Sequence, residues 1–387
     1  MKRTQDKTLS QDARHLVALL SGHTDKLGGV TDAEWNQLIN LAKKNGVSQM
    51  LYTALKTQCI PIPSVIAERV RTIHLSSAAY STKMFHELDK VLKTFEDADI
   101  TVVPVKGAWL SEAVYSNIAL RGMSDIDLWV EKTEIEKARN AIESLGYVAN
   151  ISRKDRPEAL RNQILGEIQY FKSGFPMVEL HWNIFRGEWL RHIAKIDEKI
   201  IWNRTHFYKS NKVRQLSAED AIIHLCIHLA VNHQMSMSGL RTMIDLDVAR
   251  KNLNIDWQIV VHRAKQWHVA TSMWLVLYIL NQIFGDSKKQ LPLKELQPSL
   301  LHQWLLCLFV SPQALCDGLD IRESSKRFVF LFALLDKPLD AIMLLWRTIV
   351  PDPSWFTLRY GLQNAPRWRI IMQRVWHPLR MAWYRDI

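Results

Sequence analysis

The spacing of apolar residues changes twice along the chain. Over residues 8–97 they recur at helical intervals, and Thr31 with Glu34 three residues later forms a capping-box pattern that predicts a helix start. Short β-branched runs then alternate with helical stretches over 98–185, and helical spacing returns over 186–387. The pattern predicts an α+β protein in which a small mixed-sheet α/β core lies between mainly helical N- and C-terminal regions.

The middle segment contains the only strand signals. Two strands are expected over 100–105 and 125–130, and a hairpin over 167–171 and 177–182 with its turn at 173–176. Helices are expected between them, one opening at Gly107 and reaching about Tyr115, the other over 131–145 and ended by Gly146. Further helix starts are predicted at Ser217 and at Asp256.

Composition narrows the class of protein without choosing its partner. The 387 residues are 48% hydrophobic and 23% charged, which is typical of a folded chain. We expect a cytoplasmic protein, because the N-terminus is polar, no apolar run reaches the roughly 18 residues of a membrane span, and the four cysteines form no Cys-x-x-Cys pair. The net charge of +11 favours anionic partners, among them nucleotides, nucleic acid and anionic membrane surfaces.

The strongest chemical signal is Asp125-Ile126-Asp127, flanked by apolar residues. Side chains alternate in a strand, so both carboxylates project from one face, and their repulsion and lost hydration would be offset by a bound cation. Carboxylates are the ligands that Mg²⁺ and Mn²⁺ prefer. A solvated pair of aspartates is the simpler alternative, but Glu179, between apolar neighbours in a later strand, supplies a third carboxylate.

Three stretches together resemble a known family. They are Val105-Lys106-Gly107 with Leu110, then Arg121 with Ser124-Asp125-Ile126-Asp127-Leu128, and Val178-Glu179-Leu180-His181-Trp182. Their order resembles the uncharacterised nucleotidyltransferases of the DNA polymerase β-like nucleotidyltransferase superfold. The motifs cover about 100–185, and a weaker resemblance extends to about 285.

The resemblance implies a Mg²⁺- or Mn²⁺-dependent transfer of NMP from an NTP to a hydroxyl acceptor, which would be a small molecule, a carbohydrate or a protein. Asp125 and Asp127 would ligate the metal, with Glu179 as the third catalytic carboxylate. The superfold usually has Gly-Ser in the turn where this chain has Lys106-Gly107. Gly107 would allow close backbone approach and Lys106 would face phosphate, although a surface lysine is an equal alternative.

Two residues before the aspartates have open roles. Arg121 either binds phosphate or pairs with an aspartate, and Ser124 either binds phosphate or caps a turn. Two other functions remain possible from the sequence. One is a catalytically inactive module that keeps the fold for binding or regulation, favoured by the unusual turn. The other is nucleotide addition to RNA, favoured only by the positive charge, since no RNA-binding motif is present.

Several other patterns have simpler interpretations. Asp245-Leu246-Asp247 repeats the spacing of the metal candidate but lies in helical sequence, where residues two apart diverge. We therefore expect Asp245 to be buried against Arg241 or to reach the site from a neighbouring domain. His224, His228 and His233 are interpreted as core or interface histidines. His181 shares the face of Glu179 and either contacts substrate or orients the glutamate.

The C-terminal segment is basic and rich in tryptophan. Six arginines between 355 and 387 accompany an apolar stripe with helical spacing, formed by Trp368, Ile371, Met372, Val375 and Leu379. We expect this stripe to dock on the core of the protein with the arginines in solvent. The alternatives are contact with nucleic acid or peripheral contact with a membrane.

Overall fold

The computed structural model describes residues 9–22, 30–115, 117–150, 166–185, 188–236, 239–285, 290–319, 321 and 326–383. It is an α+β fold with one five-stranded mixed sheet in the middle of the chain and helices at both ends, as predicted. The predicted boundaries at 97/98 and 185/186 remain predictions.

In the described ranges, four α-helices precede the sheet: α1 Gln11–Ser21, α2 Asp32–Lys44, α3 Ser48–Thr57 and α4 Ser64–Asp97. The predicted capping box at Thr31 is confirmed, since its hydroxyl accepts from the backbone N–H of Glu34 and the Glu34 carboxylate accepts from the backbone N–H of Thr31. The 34-residue helix α4 carries the chain to the sheet, and its C-terminal half packs against it.

The central sheet has the order β1-β2-β5-β4-β3. Its strands are β1 Val103–Pro104, β2 Asp125–Trp129, β3 Val148–Ala149, β4 Glu167–Phe171 and β5 Met177–His181. Strands β2 and β5 are parallel, and the other neighbours are antiparallel. Between β1 and β3 lie α5 Gly107–Ala113, a 3₁₀ turn Lys132–Glu134 and α6 Ile135–Ser144. The predicted hairpin over β4 and β5 is confirmed, with Gly174 at φ 76° in its turn.

Strand β1 is shorter than predicted. Only Val103 and Pro104 pair with β2, while Val102 forms an isolated bridge with Val213. Proline has no N–H to donate to a ladder. One further backbone bond to β2 follows, from the N–H of Val105 to the carbonyl oxygen of Asp127, and the backbone then turns sharply at Lys106, where the pairing ends. The bridge at Val102 connects the edge to a small second sheet of β6 His206–Phe207 and β7 Arg214–Gln215.

Apart from β6 and β7, which the helical prediction for 186–387 missed, the described part of the chain after the central sheet is helical. Its α-helices are Glu188–Ile193, Glu198–Asn203, Ala218–Ile227, Gly239–Asn252, Trp257–Gln266, Ala270–Phe284, Leu300–Phe309, Pro312–Cys316, Arg327–Ala333, Pro338–Ile349, Pro353–Arg359 and Arg367–Trp383, with a π-helical turn at His228–Asn232. The predicted helix starts are confirmed, because the side chains of Ser217 and Asp256 cap the helices that begin one residue later.

Two hydrophobic cores hold these layers together. The larger core joins the first helices to the C-terminal helices, so that Leu38 of α2 and Leu275 belong to the same cluster. The smaller core lies between α4, α6 and one face of the sheet, and includes Ile126 and Val178. The sheet is therefore covered on one face by its own helices, which leaves the other face for polar side chains.

The prediction that the C-terminal stripe docks on the core is wrong. Trp368, Ile371, Met372 and Val375 are exposed, while His377 on the same helix is buried. The helix packs through its His377 side, because Nε2 of His377 lies 3.0 Å from the carbonyl oxygen of Thr348 and Nδ1 lies 2.7 Å from the Tyr360 hydroxyl. The side of this amphipathic helix that meets the protein thus carries a histidine with both polar and aromatic contacts.

Within the described ranges, no helix combines the length and apolar character needed to cross a membrane.

Candidate functional site

One face of the central sheet is polar over three adjacent strands. The register places Asp127 of β2 opposite Glu179 of β5, which lies opposite Gln169 of β4. Two residues further along β5, His181 lies opposite Glu167. Because alternate residues share a face, these five side chains belong to one surface, while the residues between them fill the core under α4 and α6. The strand pattern alone therefore concentrates charge at one place.

Asp127 lies at the centre of this polar face. Its Oδ1 is 2.6 Å from Nζ of Lys106 and 2.9 Å from Nε2 of His181. Glu179 is close to the same two cations, since its Oε2 lies 3.9 Å from Nζ of Lys106 and 3.6 Å from Nε2 of His181. Asp127 is only 1% exposed and Glu179 is buried, so these contacts are made with little screening by water.

His181 bridges the carboxylates. Its Nδ1 lies 3.4 Å from Oε2 of Glu167, so both ring nitrogens face carboxylate oxygens. Burial acts to lower the pKa of His181, but the hydrogen bonds to Asp127 and Glu179 outweigh it and raise the pKa. The geometry therefore favours the imidazolium. Of the two roles left open from the sequence, His181 has contacts that orient Asp127 and Glu179.

Gln169 fixes the orientation of Glu179. Its Nε2 donates to Oε1 of Glu179 at 2.7 Å, which leaves Oε2 on the side of Lys106 and His181. Sequence reasoning missed Gln169 and Glu167. The available signal was the alternation Glu167-x-Gln169 in the hairpin strand that pairs with Glu179-x-His181.

The surroundings shift the pKa values of the two aspartates of β2 in opposite directions. Burial, followed by the charges of Asp127 and Glu179, raises the pKa of Asp125. Burial also acts to raise the pKa of Asp127, but Lys106 and His181 together hold it well below its usual range. Ser124, which is exposed, donates its hydroxyl to Oδ1 of Asp125 at 2.9 Å. Asp127 is the firmly ionised member of the pair.

The Lys106 turn is strained. Lys106 has φ 51° and ψ −126°, in the region that favours glycine. A non-glycine residue held there costs on the order of 1–3 kcal/mol. The turn directly follows β1, and the N–H of Val105 donates to the carbonyl oxygen of Asp127 at 3.1 Å. This backbone bond and the strained turn together place the Lys106 ammonium against the Asp127 carboxylate.

Gly107 is required by close packing. A Cβ added there would lie 2.8 Å from Cβ of Met123 and 3.4 Å from Nη1 of Arg121. The hydroxyl of Ser111 lies 2.7 Å from the carbonyl oxygens of both Gly107 and Arg121, which ties α5 to the segment before β2. Gly107 therefore allows two backbone segments to approach each other beside the carboxylates.

Arg121 pairs with an aspartate, one of the two roles left open from the sequence. Its Nε lies 2.8 and 3.0 Å from the two oxygens of Asp245, and the Tyr115 hydroxyl donates to Asp245 at 2.7 Å. All three side chains are buried. Arg241, the expected partner of Asp245, makes no hydrogen bond to it, because Arg121 occupies the carboxylate. Burial and the charge of Arg121 lower the pKa of Arg241. A phosphate contact by Arg121 stays a prediction.

A divalent cation fits the chemistry of this cluster. One oxygen each of Asp127 and Glu179 and one ring nitrogen of His181 lie within 4.8 Å of one another. Four carboxylates, those of Asp125, Asp127, Glu167 and Glu179, formally exceed the two cations Lys106 and His181 by two charges, and a charged His181 has to lose a proton before its nitrogen ligates a metal. Hard carboxylate oxygens and an excess of two negative charges suit Mg²⁺ or Mn²⁺. Which residues ligate the ion, Asp125 included, stays a prediction.

The other candidates take structural positions. Asp245 and Asp247 lie in the helix Gly239–Asn252, as expected, and Asp247 pairs with Arg250 and Lys251. His224 is buried. The rings of His228 and His233 meet through their Nε2 atoms at 2.8 Å, around the π-helical turn.

The fold and the site together define the class of this protein. It has a mixed sheet covered by helices on one face, and its other face carries a buried acidic cluster on two adjacent parallel strands. A family model described as uncharacterised nucleotidyltransferase matches residues 31–285, which include the whole sheet and the helix that carries Asp245. The chain belongs to this family, which confirms the resemblance found in the sequence. Neither a curated protein nor a solved structure matches the chain.

Proposed function

We propose that the chain transfers a nucleoside monophosphate from a nucleoside triphosphate to a hydroxyl group of an acceptor, with Mg²⁺ or Mn²⁺ held by Asp125, Asp127 and Glu179. The observation that supports this most is the register of β2 and β5, which sets Asp127 directly beside Glu179 on the polar face of the sheet. Family membership supports nucleotidyl transfer in general. The acceptor and the preferred nucleotide are left open.

Each residue of the cluster has a distinct task. A bound divalent ion would supply charge neutralisation for the triphosphate and lower the pKa of the attacking hydroxyl. Gln169 and His181 hold the oxygens of Glu179 and Asp127 in fixed orientations. Asp127 is ionised at neutral pH because Lys106 and His181 lie against it. Asp125, at the half-buried edge of the strand, is the carboxylate most accessible to substrate.

Lys106 is the residue best placed to bind phosphate. Its ammonium already lies between Asp127 and Glu179, and a triphosphate entering the cluster adds negative charge beside it. Ser124 is exposed next to Asp125 and presents its hydroxyl to the same side. Gly107 keeps the turn close to the strand. Arg121 does not face the cluster; its ion pair with Asp245 holds the segment 121–125, which leads into the strand of Asp125 and Asp127.

The test is incubation of the intact chain with labelled NTPs and Mg²⁺ or Mn²⁺, in the presence of a cell extract, followed by a search for labelled products. Asp127→Asn and Glu179→Gln keep side-chain volume and should each reduce labelling at least about a hundredfold, which is roughly 2.7 kcal/mol of barrier. Glu136→Gln, an exposed carboxylate outside the site, is the matched control and should label normally. Full labelling by folded Asp127→Asn would overturn the assignment.

One observation favours a second candidate function, a catalytically inactive binding module. The Lys106 ammonium occupies Oδ1 of Asp127 at 2.6 Å, in a position where a metal would otherwise contact that oxygen. Calorimetric titration with NTP, with and without Mg²⁺, separates the two candidates. Binding of triphosphate without any labelled product would favour the module, and Mg²⁺-dependent binding with turnover would favour the enzyme.

A further inference from the structure

Two neighbouring helices near the C-terminus present apolar side chains to solvent. Six of these residues, here called the outward apolar face, are between 44 and 67% exposed: Ile342, Trp346 and Ile349 on the helix Pro338–Ile349, and Trp368, Ile371 and Val375 on the helix Arg367–Trp383. The two helices contact each other. Large apolar side chains exposed together on two contacting helices mark an interaction site more than scattered single ones do.

The direction of this face is fixed by how each helix packs. On the helix Arg367–Trp383, His377 is buried against Thr348 and Tyr360. At about 100° per residue, Trp368 and Val375 lie within roughly 20° of the direction opposite His377. On the helix Pro338–Ile349, Asp340 is buried and Ile349 lies on the opposite side. Both apolar rows therefore point away from the protein.

Arginines border the apolar row on both sides. On the same helical projection Arg367 and Arg374 lie roughly 60–80° to one side of His377, and Arg369 and Arg380 lie equally far to the other side. All four are exposed. Arg374 and Arg380 lie over the rings of Phe356 and Tyr360, at 5.4 and 5.7 Å from the ring centroids, so Arg367 and Arg369 are the pair that the vesicle test addresses. Long basic side chains at the border of an apolar stripe can reach lipid headgroups while the stripe enters the acyl boundary.

The charge of this segment selects the partner. Residues 338–383 contain six arginines and two aspartates. Neither aspartate offsets the positive charge of the exposed arginines, because Asp340 is buried near His268 and Asp352 caps the helix Pro353–Arg359. A second copy docked on the same face by two-fold symmetry would bring equal arginine rows together, which is unfavourable. An anionic lipid surface satisfies both the apolar row and its arginine borders.

We propose that the helices Pro338–Ile349 and Arg367–Trp383 bind the chain to the surface of anionic membranes, with the outward apolar face inserted at the headgroup boundary. Neither helix crosses the bilayer. Lipid binding at this face is independent of the proposed nucleotidyl transfer, because the residues of the acidic cluster take no part in it.

The test is flotation of the full chain with vesicles of phosphatidylcholine alone and of phosphatidylcholine mixed with phosphatidylglycerol. We expect binding to the anionic vesicles only, weakened by added salt. The double variant Trp368→Ser/Val375→Ser should bind at least about tenfold more weakly, since full burial of one such side chain already contributes about that factor. Arg367→Gln with Arg369→Gln should weaken binding roughly thirtyfold, at about fivefold per basic residue near an anionic surface.

A matched control lies on another helix. Trp304 and Leu301 are also about 60% exposed, at 60 and 63%, so Leu301→Ser/Trp304→Ser removes a similar side-chain pair elsewhere and should leave vesicle binding unchanged. Circular dichroism checks that each variant is folded. Three results would each overturn the proposal. The first is no flotation of the wild type with anionic vesicles, and the second is equal weakening of vesicle binding by Leu301→Ser/Trp304→Ser and Trp368→Ser/Val375→Ser. The third is a wild type that self-associates in light scattering without binding vesicles, and whose self-association is lost in Trp368→Ser/Val375→Ser.

Discussion

Replacement of Lys106 by methionine tests the role of the ammonium at the acidic cluster. The change removes the charge but keeps an unbranched side chain in the same turn. Asp127 then loses its shortest contact, at 2.6 Å, and keeps only the 2.9 Å contact to His181. The Lys106 side chain is 15% exposed and that of Asp127 is 2% exposed, so the pair is largely buried.

The magnitude follows from that burial. Removing one partner of a buried ion pair costs about 3–5 kcal/mol, and the remaining histidine places this case near 3 kcal/mol. At an unfolding entropy of about 2.1 cal/mol/K per residue, about 3 kcal/mol lowers Tm by roughly 4 °C for 387 residues that unfold as one unit. Lys93→Met is the matched control. Its 2.8 Å pair with Asp97 is exposed at 68 and 63%, and such surface pairs contribute less than about 1 kcal/mol.

The assay is thermal unfolding, first in EDTA and then with Mg²⁺ or Mn²⁺. In EDTA the Lys106→Met variant should unfold well below the wild type, while Lys93→Met unfolds close to it. Added divalent ion should stabilise Lys106→Met more than the wild type, because the cation replaces the missing ammonium. Equal Tm values of Lys106→Met and the wild type in EDTA would refute the reasoning, as would an identical response of both to the ions.

Three further changes have defined outcomes in the same unfolding assay. Gly107→Ala forces a Cβ within 2.8 Å of a neighbouring side chain and should destabilise by about 1–3 kcal/mol, whereas Gly122→Ala, with no atom nearer than 3.7 Å, should be nearly neutral; equal effects would contradict the packing argument. Asp245→Asn leaves the buried Arg121 without its counter-charge and should cost at least about 3 kcal/mol; an unchanged Tm would show that this pair does not hold the segment before β2. Burial raises the pKa of Glu198 to about 8. The folded chain then keeps a proton that the unfolded chain loses above about pH 4.3, so the free energy of unfolding should fall as the pH rises towards 8. Glu198→Gln should flatten that fall, and parallel pH profiles of the variant and the wild type would exclude Glu198 as its source.

Local sequence patterns determined much of the fold. The capping box at Thr31, the caps at Ser217 and Asp256 and the hairpin turn at Gly174 each depend on residues within a few positions of one another. Such signals act through the backbone of their own segment, so they can be recognised in the sequence without knowledge of the rest of the fold. The same holds for alternation in β2, which set both aspartates on one face.

Other features depended on contacts between distant segments. The C-terminal stripe faces away from the side on which His377 contacts Thr348, Phe356 and Tyr360. The partner of Asp245 is Arg121, which lies 124 residues earlier. Spacing along a helix defines which residues share a face, but it does not define which face meets the protein.

The acidic cluster shows the same division. The sequence by itself identified Asp125, Asp127 and Glu179 as related carboxylates and suggested the family, because the motif spacing reflects strand alternation. Only the tertiary structure placed Lys106 against Asp127, His181 between Asp127 and Glu167, and Gln169 on Glu179, since these contacts arise from strand register and from a strained turn. Register and long-range packing are set by the whole core, and no local pattern encodes them.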